Sequence, residues 1–288
     1  QQQQQQQQEE GKQLEEEDTT RQLYQSYPID IKNGNTSKFI IPNDKWLNWN
    51  PKNTKGRFKW GMPEAFYLRS KEEWNTPPKK ECASSLEVLA WLMDKINSQK
   101  ETLMLFYGEL IHILREKEFV DSDGRYLDDD FDAWVTASTY QLIVDELEPM
   151  LWERLGWSLR VFYSYNKSAV PFGQILPHCG HNYFPMADKA MQKFPAIELY
   201  VTQAIEGRRA RTIVRDNWMG ISFFQNWIFP TQIVSFTSLG FNGTLNLQIP
   251  AEPDKVLTCL YGNWTQKSRG HAYPGKSCVR ERKTKVKR

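Results

Sequence analysis

Residues 124–136 read GRYLDDDFDAWVT, with four aspartates in five positions directly ahead of an apolar run. In an extended strand alternate side chains point the same way, so Asp128, Asp130 and Asp132 share one face, with Phe131 and Trp134 at the flanking positions. Carboxylates that close repel one another, and either retained protons or a cation must relieve them. Oxygen donors of this kind suit the hard ions Mg²⁺ and Mn²⁺. The chemistry implied is metal-assisted work on an anionic substrate, set against the plainer reading of a solvated acidic turn before a strand.

The elements that must position these groups follow from pattern. Ser84 with Glu87 forms a capping box, and Leu86, Leu89, Leu92, Met93 and Ile96 then fall on one helical face. Residues 102–106 read as a short buried strand ending in a turn at Tyr107-Gly108, and Leu110 to Leu114 continue as a helix closing in charged residues 115–118. Phe131 to Thr136 is a second strand, and Ser138 is placed as the cap of a third helix ending near Gly156. Residues 157–165 and 197–202 are further strands, the latter running on through Glu206-Gly207 into a hairpin.

The chain has 288 residues, 40% of them apolar and 13% aromatic, enough for one good-sized core. Residues 1–22 are a polar low-complexity tail or stem, residues 23–80 an irregular extension without period, and residues 271–288 a basic tail after the main domain at 81–270. A net charge of +2, with no basic stripe in the body, argues against nucleic acid as a partner. No apolar run approaches the length of a membrane span, and the chain starts at Gln, so an upstream anchor is compatible with it. Four sequons, at Asn35, Asn166, Asn242 and Asn263, and four cysteines outside any C-x-x-C pair lean toward the secretory lumen, with two disulfides or four thiols both open. His178-Cys179-Gly180-His181 invites zinc, but no second ligand pair follows at a usual spacing.

The tract from Tyr107-Gly108-Glu109-Leu110-Ile111-His112 through Arg115 and Phe119-Val120 to Asp128-Asp129-Asp130-Phe131-Asp132 resembles the LicD-type phosphotransferases and their relatives fukutin and fukutin-related protein. A second block, Phe229-Pro230, Leu247-Gln248-Ile249-Pro250 and Leu260-Tyr261-Gly262-Asn263-Trp264, is similar to that family's closing pattern. The resemblance spans roughly residues 84–266. It implies an α/β (α+β) nucleotidyltransferase fold like that of DNA polymerase β, a small mixed sheet flanked by helices.

By that resemblance Asp130, Asp132 and Asp128 are catalytic, Asp130, Asp132 and Glu198 hold Mg²⁺ or Mn²⁺, and Gly108, Glu109 and Arg115 meet a nucleotide-activated, CDP-type donor. The reaction implied is transfer of a phosphorylated alcohol or sugar onto a glycan or glycoprotein hydroxyl in the Golgi or endoplasmic reticulum. Two departures stand out. Glu109 replaces the Ser or Thr that follows the turn glycine in the family, and His112 replaces a second glycine. They motivate an alternative, a catalytically degenerate relative that binds a glycan or a partner protein. Arg115, as a cation at a helix end, also has an ordinary role against the helix dipole.

Overall fold

The Ser84 hydroxyl accepts the Glu87 amide, and the Glu87 carboxylate accepts the Ser84 amide at 2.6 Å, closing the expected capping box. Helix α1, Ser85–Ser98, follows, with all five apolar residues of its predicted stripe fully buried. The computed structural model describes residues 65–67, 77–162, 172–179, 194–206, 212–216, 219–266 and 278–279. The predicted N-terminal tail, most of the extension and nearly all of the basic tail fall outside these, as do Asn35, Asn166 and His181.

Strand β1, Ala65–Tyr67, is the part of the extension that joins the sheet. Strand β2, Leu103–Leu105, leads through the Tyr107-Gly108 turn into α2, Gly108–Ile111 continued by a π-turn segment His112–Glu116. Strand β3, Asp130–Val135, carries the aspartates. Helix α3 runs from Ala137–Leu142 through to Leu151–Leu155 and stops at Gly156, whose φ of 73° is a left-handed cap. Its N-cap is Thr136, not Ser138. The Thr136 oxygen accepts the Thr139 amide, while the Ser138 hydroxyl donates to Glu101 instead. Pro149 has no amide hydrogen and its ring crowds the preceding turn, and the helix accommodates it by widening into π turns on either side, Ile143–Leu147 and Leu151–Leu155.

The remaining elements are β4 (Trp157–Phe162), β5 (Phe172–Pro177), β6 (Ala196–Glu206), β7 (Thr212–Asp216), β8 (Ser222–Phe224), α4 (Gln225–Ile228), β9 (Gln232–Phe236), β10 (Leu245–Ile249) and α5 (Pro253–Tyr261). They form a mixed α/β architecture around one ten-stranded sheet ordered β1-β4-β5-β6-β3-β2-β10-β9, with β7 pairing the far half of β6 and β8 pairing β7. The sheet is therefore not small: β5 enters between its sequence neighbours β4 and β6, and β10 joins the distant β2 and brings β9 with it. Strand β3 lies parallel to β6 and antiparallel to β2, and β10 runs parallel to β2 on its other side.

Register sorts the two faces. Phe131, Ala133 and Val135 pair with Ile197, Leu199 and Val201 on one, where Tyr140 of α3 packs against Gly173 of β5. Asp132 and Trp134 pair with Glu198 and Tyr200 on the other. Trp134 thus belongs to the carboxylate face, two residues beyond Asp132, and corrects the flanking position expected for it. Its ring stacks on Phe106 at 3.9 Å between centroids, and Phe223 closes the same aromatic floor.

All four cysteines are paired, Cys82 with Cys179 and Cys259 with Cys278. The first disulfide ties the entry to α1 to the end of β5 and takes Cys179 out of any metal set. Among the described residues no helix is long and apolar enough to cross a membrane.

Candidate functional site

Because β2 and β3 are antiparallel, the chain leaving β2 turns where β3 begins, and the Phe106 amide donates to the Asp132 carbonyl at 2.9 Å. Tyr107 sits at that turn with φ 52° and ψ −121°, a conformation that L side chains rarely adopt. Its buried hydroxyl donates to Asp216 Oδ2 at 2.6 Å, and Asp216 Oδ1 accepts the Met219 amide at 3.0 Å. Tyr107→Phe removes one of the hydrogen-bond donors to a fully buried carboxylate. Urea denaturation should show a loss of about 1–3 kcal/mol.

The turn delivers Gly108 and Glu109 to the aspartate face. A Cβ at Gly108 would lie 3.0 Å from Asp128 Oδ2, so the glycine leaves that carboxylate room beside the turn. Asp128 also faces His112, with Nε2 to Oδ2 at 3.7 Å. Carboxylate oxygens of Glu109, Asp130 and Asp132 all lie within 4.8 Å of one another, and those of Asp128, Asp129 and Asp130 form a second such group at the rim. Asp132 is 8% exposed and Glu109 only 1%.

Glu198 stands directly opposite Asp132 in the β3–β6 register. Gln174 Nε2 donates to its Oε1 at 2.5 Å and the Tyr200 hydroxyl to its Oε2 at 2.6 Å. Register continues this row outward: Arg160 on β4 pairs with Gln174, which pairs with Glu198, which pairs with Asp132. All of Asp132, Gln174 and Arg160 are buried. Four neighbouring strands thus present one polar row on the face that bears the metal-type donors.

Burial is the largest cause of the proton affinities here. It pushes the Asp130 carboxyl up to about 8, with Glu198 and Asp128 adding repulsion. Asp132 is raised well above the usual carboxylate range by burial and then by Asp130 and Glu198, and Glu109 by burial and then by Asp132, Asp130 and Asp128. Glu198 is raised by burial against the opposing hydrogen bonds of Tyr200 and Gln174. Asp128 moves the other way. Its partial burial is outweighed by hydrogen bonds from His112 and the Asp129 amide.

Arg115 points elsewhere. Its Nη1 donates to the Trp264 carbonyl at 2.6 Å and its Nε to Glu116 at 2.8 Å, so it clamps the segment after α5 onto α2. The two sequence blocks at 107–132 and 260–264 are joined by this side chain, and the guanidinium serves that junction rather than the carboxylates.

Gln174, Arg160 and the Tyr107–Asp216 pair were not legible as site residues. Tyr200 was within reach, since it lies two positions from Glu198 on the same strand and the same face. No protein-family model matches the chain, and no curated protein matches it significantly.

Proposed function

We propose that this protein is a divalent-metal-dependent phosphotransferase of the LicD and fukutin type, moving a phosphorylated alcohol or sugar from a nucleotide-diphosphate donor to a glycan hydroxyl. The observation that carries the reading is the convergence of Asp130, Asp132 and their buried acidic neighbours at the mouth of the Gly108 turn. The run β2, β3, β6, with a glycine turn at the end of the first, two alternating aspartates on the second and an acid in register on the third, supports a nucleotidyltransferase-type fold.

The donor set fits Mg²⁺ or Mn²⁺: every group is a carboxylate oxygen, and Glu109 Oε2 is buried without a hydrogen-bond partner. Asp130 and Asp132 would hold the ion, with Glu198 in register beside Asp132. The chemistry a bound ion would supply there is positive charge against the negative charge that builds as the phosphoanhydride breaks. Gln174 and Tyr200 hold Glu198 in a single orientation against Asp132. Asp128, at the rim and held ionised, is placed to accept the proton of the attacking hydroxyl. The acceptor oxygen then bonds phosphorus, the bond to the nucleoside monophosphate breaks, and that monophosphate leaves.

Two disulfides and the exposed sequon residues Asn242 and Asn263 support a lumenal compartment. Glu109 in place of a phosphate-facing hydroxyl favours the second reading, a binding protein built on the same scaffold. A screen of nucleotide-linked donors with a glycan acceptor separates the two: release of nucleoside monophosphate that depends on Mn²⁺ or Mg²⁺ supports transfer, and its absence across donors supports binding. In the first case Gly108→Ala should lower turnover roughly tenfold to a hundredfold with little change in melting temperature, because the added methyl displaces Asp128 by a few tenths of an ångström or more.

A further inference from the structure

One carboxylate oxygen of Glu109 is left without a partner. The residue is 1% exposed and lies in the first turn of α2, and that oxygen, Oε2, reaches no hydrogen-bond donor. Native proteins rarely leave a carboxylate oxygen in that condition without a ligand to take it up. Its oxygen lies within 4.8 Å of those of Asp130 and Asp132, on the side of the turn opened by Gly108.

From this we infer that Glu109 is a third carboxylate ligand, and that the ion is resident on the protein before any nucleotide arrives. The inference rests on the metal half of the transferase reading. Sites that hold Mg²⁺ or Mn²⁺ through one or two carboxylates depend on substrate phosphates to complete the shell. Three carboxylates from three side chains supply half of an octahedral shell from protein alone and raise the negative charge facing the ion. The hydroxyl that the family places after the turn glycine addresses the phosphate; a carboxylate there addresses the cation. Binding of metal and binding of donor are thereby separated into two steps.

The test is a titration of the nucleotide-free full chain with Mn²⁺ alone, followed by calorimetry and by the loss of the free-ion paramagnetic signal. The wild type should take up one ion in the micromolar range. Glu109→Gln should weaken uptake at least tenfold, Glu109→Asp should retain it within a few-fold, and Asp132→Asn should abolish it. The metal-free Glu109→Gln protein should melt no lower than the wild type, since an amide of the same shape replaces a carboxyl that its buried neighbours resist ionising. Equal Mn²⁺ affinity in the wild type and in Glu109→Gln overturns the inference while leaving the transferase reading intact. Uptake only after CDP is added does the same. No uptake with or without CDP removes both.

Discussion

Asp132→Asn should cut metal-dependent release of nucleoside monophosphate by about a thousandfold and erase any melting shift produced by Mn²⁺ with CDP. Asp132 occupies the middle of β3, is nearly inaccessible, and faces Glu198 across the β3–β6 pair. Asparagine keeps the shape and can donate to the neighbouring carboxylates, so the sheet is retained while the ion loses a charged oxygen. The metal-free variant should therefore melt at or above the wild-type temperature at pH 8. A variant that folds and turns over at the wild-type rate would remove the D-x-D from the chemistry.

The second large effect is on pH dependence. In the metal-free protein Glu109, Asp130, Asp132 and Glu198 all hold protons more tightly than ordinary carboxyl groups, Asp130 up to about 8 against 3.8. Between about pH 4 and pH 8 the folded chain therefore binds more protons than the unfolded chain. Its stability is full below the unfolded value and is lost as pH rises through the folded one. Asp128 and Glu118, both lowered, act oppositely and only at the acidic end. The net loss should be on the order of a few kcal/mol, read as a fall of about 10 °C in melting temperature between pH 5 and pH 8. Saturating Mn²⁺ should flatten that slope, because the cation takes the place of the protons. A metal-free melting curve that rises with pH would show that these carboxyls are not buried together.

How much of this was legible depended on the range of the interaction that decides it. The cap of α1 is written in Ser84 and Glu87, three residues apart, and the start of β3 in the alternation of Asp130 and Asp132. Ser138 misled because the helix begins earlier, at Ala137: Thr136 takes the Thr139 amide, and the Ser138 hydroxyl is turned to Glu101. Strands β5, β9 and β10 were missed for a different reason. Phe172 to Pro177 has no period-two pattern, since its first four residues are all buried, and β10 earns its place through a parallel pairing with β2 some 145 residues earlier in the chain. Arg115 carried a plausible phosphate-binding sequence context, and only the return of residues 264–266 to α2 shows what its guanidinium holds. Glu109 was legible as a residue type and illegible as a position: its side chain joins Asp130 and Asp132 only because the turn at Tyr107 folds α2 back over β3.

The row from Arg160 through Gln174 and Glu198 to Asp132 also bears on how the sheet assembles. A one-residue slip anywhere along β4, β5, β6 or β3 would rotate an ionised or amide group into the side where Leu199, Val161 and Gly173 meet helix α3, and would expose their hydrocarbon in exchange. Misaligned pairings are thus penalised twice, at the positions of this polar row. The acidic wall acts as an alignment key during assembly, discarding near-native competitors that an all-aliphatic pair of surfaces would tolerate.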